Sequence, residues 1–247
     1  MRKTILKFKQ FTTSRLSVIV GFLIIPVILT GCLDDDDSNI PDAIPAAYVS
    51  LYNGSLDASP LDILVDSRRI NNSSAFDYTE HTGYRRFYTG DRTLKFTPFN
   101  ASNTLIDTSI NLIENNVYSV FVHGTGTDLS TLVTEDEFPE ASAGNALVRV
   151  VHLSPDASAV DLYRGTATDP LFENVTYGTA SEFVNFPAGT TSLQLTTAGG
   201  DESIEVVSDL NFIEDNVYTI VIRGYADPQE GNENSLGVQV IRDFFNY

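Results

Sequence analysis

Tryptophan is absent, and the chain has one cysteine and one methionine in 247 residues. The single cysteine, Cys32, excludes an intrachain disulfide and leaves no spare thiol for a zinc site. The three histidines, His81, His123 and His152, are widely spaced, so neither a metal centre nor a cofactor is expected. Basic side chains are scarce as well: 15 Lys and Arg face 33 Asp and Glu, for a net charge of −18. Five of the fifteen (Arg2, Lys3, Lys7, Lys9 and Arg15) fall in residues 1–31, which hold no acidic residue. The remainder therefore sets 10 basic residues against 33 acidic ones, or −23, and Lys95 is its one lysine. Such a field repels phosphate backbones, which excludes nucleic acid as a partner. Helical periodicity over a dozen residues is missing beyond the N-terminus, as is an apolar run of membrane-spanning length. No glycine-rich segment sits between a strand and a helix as a phosphate loop requires, and Gly124-Thr125-Gly126 and Gly199-Gly200 read as hairpin turns. What is present, 42% hydrophobic and 11% aromatic residues, is enough to fill packed cores.

Residues 1–31 read as an address. Behind the basic residues lies an apolar stretch, Leu16 to Thr30, interrupted only by Gly21 and Pro26. It is short for a membrane span and suits the apolar region of a signal peptide. It leads into Leu29-Thr30-Gly31-Cys32, which resembles the bacterial lipobox. That resemblance implies a lipoprotein signal peptide, removed before Cys32, and lipid such as palmitate on the Cys32 thiol. Several acyl chains at one terminus anchor stably, since each buried CH₂ contributes about 0.8 kcal/mol. An uncleaved anchor is the alternative and needs the apolar run to extend through Leu33. With Leu33 rather than Asp after the cysteine, the same resemblance, under enteric-type sorting, implies the outer membrane, with the face left open. Residues 32–45, with Asp34 to Asp37 adjacent, then make an acidic tether whose like charges keep it extended. A calcium site there is the sharper reading, but consecutive side chains diverge in an extended run.

Two later stretches organise the rest. Ile110 to Gly124 and Leu210 to Gly224 share seven of fifteen residues, which marks a duplicated unit. Each opens with turn chemistry, Glu114-Asn115-Asn116 or Glu214-Asp215-Asn216, and continues at period two. Tyr118, Val120 and Val122, like Tyr218, Ile220 and Ile222, make one apolar face. The other face, Ser119 and His123 or Thr219 and Arg223, is mostly polar and reads as solvated. With Leu112 or Phe212 six residues before the tyrosine, the pattern resembles the tyrosine corner of immunoglobulin-like sandwiches.

Outward from the corner, Ala47 to Asn53 aligns with Ala146 to His152 at an offset of 99, and Phe87 with Phe186 and Gly90 with Gly189 keep that offset. Each unit offers about seven short β-like segments, an all-β organisation. The expected domains are two tandem immunoglobulin-like β-sandwiches, residues 46–138 and 145–247, joined by a linker at 139–144 and touching end to end. The loop Ala226 to Ser235 is the expected mobile one. Val148 to Ala157, Val160-Asp161-Leu162-Tyr163, Tyr177-Gly178 and Phe186 to Thr190 look like domain-of-unknown-function family 4397. The resemblance is good over 145–225 and looser over 46–138; it implies secreted or lipid-anchored sandwich units, often in tandem, and brings no reaction.

His152, Ser154 and Asp156 invite a nucleophile–base–acid reading. Alternate residues of one strand cannot aim at one another, so no catalytic residue is expected and His152 reads as capping the core. The duplicated Asp-Ala-Ser-x-x-Asp, Asp57 to Asp62 and Asp156 to Asp161, offers oxygen ligands for calcium. The favoured reading is an Asx-type turn at the first Asp and a solvated strand face at the second. Without Trp, a carbohydrate platform would fall to Tyr52, Tyr88, Tyr163 or Tyr225, although core packing is the commoner fate of such residues. The expected function is a non-catalytic envelope binding or adhesion module that meets a protein or glycan through loops or strand edges. A structural spacer without a ligand is the alternative.

Overall fold

In the computed structural model, residues 44–71, 73–200 and 203–244 are described; the leader, Cys32 and Asp34 to Asp37 lie outside them. Every regular element among the described residues is a strand. The first half holds β1 (Ala46–Leu56), β2 (Leu61–Val65), β3 (Arg68–Arg69), β4 (Arg85–Tyr88), β5 (Gly90–Pro98), β6 (Ile106–Leu112), β7 (Val117–Thr125) and β8 (Asp128–Glu135). They form two sheets, β4-β1-β7-β8 and β3-β2-β5-β6. The second half holds β9 (Asn145–His152), β10 (Val160–Arg164), β11 (Phe172–Val175), β12 (Thr179–Ala180), β13 (Val184–Pro187), β14 (Gly189–Thr197), β15 (Ser203–Phe212), β16 (Val217–Arg223) and β17 (Gly237–Asp243). These make β12-β9-β16-β17, with β13 also on β9, and β11-β10-β14-β15. The short edge strands raise the count above the expected seven per unit. In both halves the first strand runs parallel to the strand after the corner, β1 beside β7 and β9 beside β16.

The corner forms in both copies. Asn115 and Asp215 take positive φ in the turn, as short polar side chains allow. The Ile113 N–H donates to the Tyr118 hydroxyl at 3.3 Å, and the Ile213 N–H to the Tyr218 hydroxyl at 3.0 Å. Both rings are buried. Tyr218→Phe removes that acceptor and is expected to cost about 1 kcal/mol, with less lost for Tyr118→Phe at its longer distance. Urea unfolding measures this, and an unchanged midpoint for Tyr218→Phe would count against it.

Each half has its own core. Val49, Leu51, Ile63, Phe96, Val120 and Val122 belong to the first, and Val148, Val150, Leu162, Phe186, Phe212 and Ile220 to the second. A third apolar cluster draws on both: Tyr52 and Phe121 from the first half meet Val151, Leu153, Val221 and Ile241 from the second. The faces read as solvated are therefore covered, with Ser119 3% and Thr219 1% exposed. The halves do not touch end to end. Sheet β4-β1-β7-β8 lies against sheet β12-β9-β16-β17, so their central strands are buried on both faces.

The polar residues of that seam form one network. The Arg149 guanidinium lies over the rings of Phe183 at 4.6 Å and Phe121 at 5.3 Å. It donates to Ser119 Oγ at 2.7 Å and to Thr219 Oγ1 at 3.0 Å, and pairs with Asp136 at 2.5 Å. Tyr84 and Ser119 hydroxyls also donate to Asp136, at 2.7 and 2.5 Å, while Thr219 donates to Asp243 at 2.7 Å. Burial pushes Asp243 up to about 6, against the pull of Arg149 and the Thr219 bond. A carboxyl whose folded pKa is raised gives stability that is complete below the unfolded value of 3.8 and is lost as pH rises through about 6. Asp243→Asn should therefore flatten this part of the pH–stability profile and be the more stable form above pH 6, by up to about 3 kcal/mol. Urea titrations of both proteins between about pH 4 and pH 8 measure the difference; parallel profiles would contradict it.

Candidate functional site

The residues singled out in the sequence are mostly structural. His152 is fully buried. Its Nδ1 accepts the Ser154 N–H at 3.2 Å and its Nε2 faces the Ser158 carbonyl at 3.4 Å, so both ring nitrogens engage backbone. Burial holds it below the ordinary histidine value, with the Ser158 contact opposing that. Ser154 is fully buried, and its hydroxyl faces Asp156 at 3.4 Å and not the imidazole. A relay from Ser154 through His152 is therefore not assembled. His123 Nδ1 meets the Tyr177 hydroxyl at 2.8 Å, and His81 packs edge-on against Phe244. Among the described residues no three His, Cys, Asp or Glu side chains come together as a metal site.

The duplicated aspartates pin loops. Asp57 accepts from the Tyr225 hydroxyl at 3.0 Å and from Asn232 Nδ2 at 3.1 Å, while Asp156 accepts the Ala226 and Asp227 N–H groups at 2.8 and 3.1 Å. Both reach across to the 226–235 loop, which is held from both halves. Burial first, then Asp57, pushes the Tyr225 hydroxyl up to about 12. The second aspartates are buried, not solvated, at 3% exposure each. Asp62 accepts the Asn100 N–H at 2.8 Å and pairs with Arg69; Asp161 accepts the Asn174 and Gly199 N–H groups at 2.6 and 2.8 Å. Carboxylates that already accept backbone and side-chain donors in this way are loop anchors.

Of the four candidate tyrosines, Tyr52 is buried and bonded to Gln239, Tyr225 is tied to Asp57 and Tyr163 is half-buried. Tyr88 stands out at 65% exposure. It lies in an open groove of about 840 Å³ along the first half. Arg68 and Arg69 of β3 line it from one sheet, Arg85 and Arg86 of β4 from the other, and Arg92 joins from β5. Ile44, Val65, Ile70 and Phe87 supply apolar surface between them. Sequence reasoning passed over these arginines. The signal was there: they are half of the ten cations beyond residue 31 and include two Arg-Arg doublets.

Among the described residues, charge does not cancel in the groove. Arg69 pairs with Asp62 at 3.0 Å and Arg92 with Asp66 at 2.7 Å. The Thr93 N–H, then Arg92, hold Asp66 below the usual carboxylate range, so it stays ionised. Arg86 donates to the Ile44 carbonyl at 3.3 Å. Arg68, Arg85 and Arg86 meet no carboxylate among the described residues, and the shielded Nε atoms of Arg85 and Arg92 lack an acceptor there.

The fold does not require these arginines. β4 lies on β1 with Arg85 opposite Val49 and Tyr88 opposite Ala46; β13 lies on β9 in the same register, with Val184 opposite Val148 and Pro187 opposite Asn145. At the matching places Arg85, Arg86 and Tyr88 become Val184, Asn185 and Pro187. Arg92, opposite Ile110, becomes Thr191, opposite Leu210, and the offset of 99 puts Ala167 and Thr168 at Arg68 and Arg69.

A family model described as Domain of unknown function (DUF4397) matches residues 47–163. A domain of that family is therefore found across the first half, β9 and most of β10, in one matched copy. The resemblance read as better in the second half falls only partly inside the match, since Tyr177-Gly178 and Phe186 to Thr190 lie beyond it. No curated protein sequence matches the chain. Among solved structures, the C-terminal domain of AlgF from P. aeruginosa is similar at 16% identity over 40% of this chain and 98% of that one, TM-score 0.30. A family 26 carbohydrate-binding module of Eubacterium rectale Amy13K, in complex with maltoheptaose, is similar at 10% identity over 80% and 97%, TM-score 0.26. Family 41 carbohydrate-binding modules from streptococcal virulence factors, described for α-glucan recognition, give 10% identity over 71% and 93%, TM-score 0.23. TM-scores this low carry no argument about what the chain binds.

Proposed function

We propose that this chain is a lipid-anchored binding module of the bacterial outer membrane, built from two copies of one β-sandwich unit and acting by contact without catalysis. Its binding face is the arginine groove between the strand edges of the first unit, and the partner is anionic. One observation carries the reading: in a chain of net charge −18, five arginines line one groove, and the matching positions of the second half hold none. Positions that a fold can fill with Val, Asn, Thr and Ala have another reason to be arginine. Guanidinium groups without carboxylate partners are prepared donors for a planar anion. The lipid proposed on Cys32 would keep such a module at the envelope.

Two measurements test it. Globomycin should retard processing of the full chain and slow its migration on a gel, and unchanged mobility would count against the lipid anchor. The detergent-solubilised full chain, set against a panel of acidic glycans, acidic peptides and inorganic phosphate, should retain at least one of them. That binding should fall in R68A/R85V/R86N, a variant carrying the second half's own residues. A panel bound equally by both proteins would remove the groove as the binding face, and a panel bound by neither would favour the spacer reading.

A further inference from the structure

We infer that the groove takes an acidic polysaccharide whose charge is carried as widely spaced carboxylates, with Tyr88 stacking on a sugar ring. The inference rests on the binding reading above and specifies its ligand. Its first ground is the spread of charge. Arg68 and Arg69 come from β3 in one sheet and Arg85 and Arg86 from β4 in the other, so the donors line two walls of an extended opening. An opening of about 840 Å³ is far more than one inorganic anion fills and lies within the ~300–1,000 Å³ range of ligand clefts. The second ground is the donor type. All five groups are guanidinium forks, and Lys95 lies outside the groove, paired with Asp107 at 2.9 Å. Forks match planar carboxylates in two-point contact, whereas an ammonium acts as a point charge.

The field of the whole molecule narrows the choice. A protein of net charge −18 repels dense polyanions such as sulfated chains or nucleic acid over a Debye length of about 8 Å. A chain with one carboxylate per sugar suffers less of that repulsion and still meets the local positive charge. Tyr88, 65% exposed and two residues from Arg86 on the same face of β4, gives a flat apolar ring beside a guanidinium. That pairing suits the alternation of C–H face and carboxylate along an acidic glycan. An acidic peptide adding itself as a strand is disfavoured, because β3 is two residues long and β4 four, too short for a useful ladder.

The test titrates the full chain in detergent micelles with oligogalacturonate, its methyl ester, neutral dextran, dextran sulfate and a polyglutamate peptide. Oligogalacturonate should bind, and esterification should weaken it at least about tenfold by removing the charge. R68A/R85V/R86N should lose at least about tenfold with its unfolding midpoint unchanged, and Tyr88→Ala several-fold, while Tyr88→Phe retains binding. Equal binding of acid and ester, or indifference to the triple variant or to Tyr88→Ala, would overturn the inference. If dextran sulfate or polyglutamate binds through the same arginines and oligogalacturonate does not, the carboxylated glycan falls and the anionic binding face stands. If no probe depends on the arginines, both fall.

Discussion

Arg149→Ala should cost about 3–5 kcal/mol at pH 7, the range seen when one member of a buried ion pair is removed. The side chain is 3% exposed and its partner Asp136 is fully buried. Burial alone would lower Arg149, and Asp136, Tyr84 and Asp243 more than reverse this, so the cation is held where it lies. Its removal strands Asp136 and Asp243 without a counter-charge and empties the space between Phe121 and Phe183. Lysine is not a substitute, because an ammonium cannot lie flat between two rings and bond Ser119, Thr219 and Asp136 together. The loss should shrink below about pH 6, where Asp243 takes up a proton. Arg149→Met combined with Asp136→Asn should recover the part owed to Asp136, and most of the loss below about pH 6, where Asp243 is neutral too. Urea unfolding of the single and double variants supplies the comparison, and a cost under about 1 kcal/mol would place Arg149 in solvent rather than in the seam.

Gly224→Ala should be nearly as damaging, at about 3 kcal/mol or more, from strain and overlap together. Gly224 has φ +89, and a Cβ there would overlap the Ser235 carbonyl oxygen. Gly124, its counterpart, has φ +112 and would meet the Asp128 carbonyl oxygen. Neither obstacle is the far end of a flexible side chain, so relaxation must move backbone. In the first half that backbone is the start of β8, paired to β7 through Gly124 opposite Leu129. In the second it leads into β17, whose Ile241 and Asp243 belong to the seam. Alanine at 224 should therefore loosen the contact between halves as well as its own sheet. Thermal unfolding detects the loss; a shift under about 1 °C for Gly224→Ala would show that the turn accommodates the methyl group.

How much of this could be read from residues alone differs by element. The duplicated stretch announced its strand, its turn and its tyrosine bond, because period-two β-branched residues behind Glu-Asn-Asn or Glu-Asp-Asn leave few alternatives. Gly124 and Gly224 close the two copies at the same place, and the structure supplies the reason. The seam is hard to read from sequence because Ser119 and Thr219, next to His123 and Arg223, look like a solvated face. Their burial depends on a second sheet, which period two within one strand cannot reveal. Phe121 and Val221, on that same face, were the available warning. The arginine groove was overlooked for a related reason. Arg68 and Arg85 are far apart in sequence and meet only through the pairing of β3 with β2 and β4 with β1. His152 and the duplicated aspartates are chemically versatile, but here the aspartates accept hydrogen bonds from loop donors and His152 bridges the Ser154 N–H and the Ser158 carbonyl.

Amide hydrogen exchange on the full chain, with and without saturating oligogalacturonate, bears most directly on where this protein meets its partner. The strand edges of β3 and β4 face the groove, so their amides should exchange quickly alone and slow on binding. Slowed exchange over 68–70 and 85–88, with the second half unchanged, is the predicted result. Protection that appears instead at the 226–235 loop or over β13, with β3 and β4 unaffected, would contradict it.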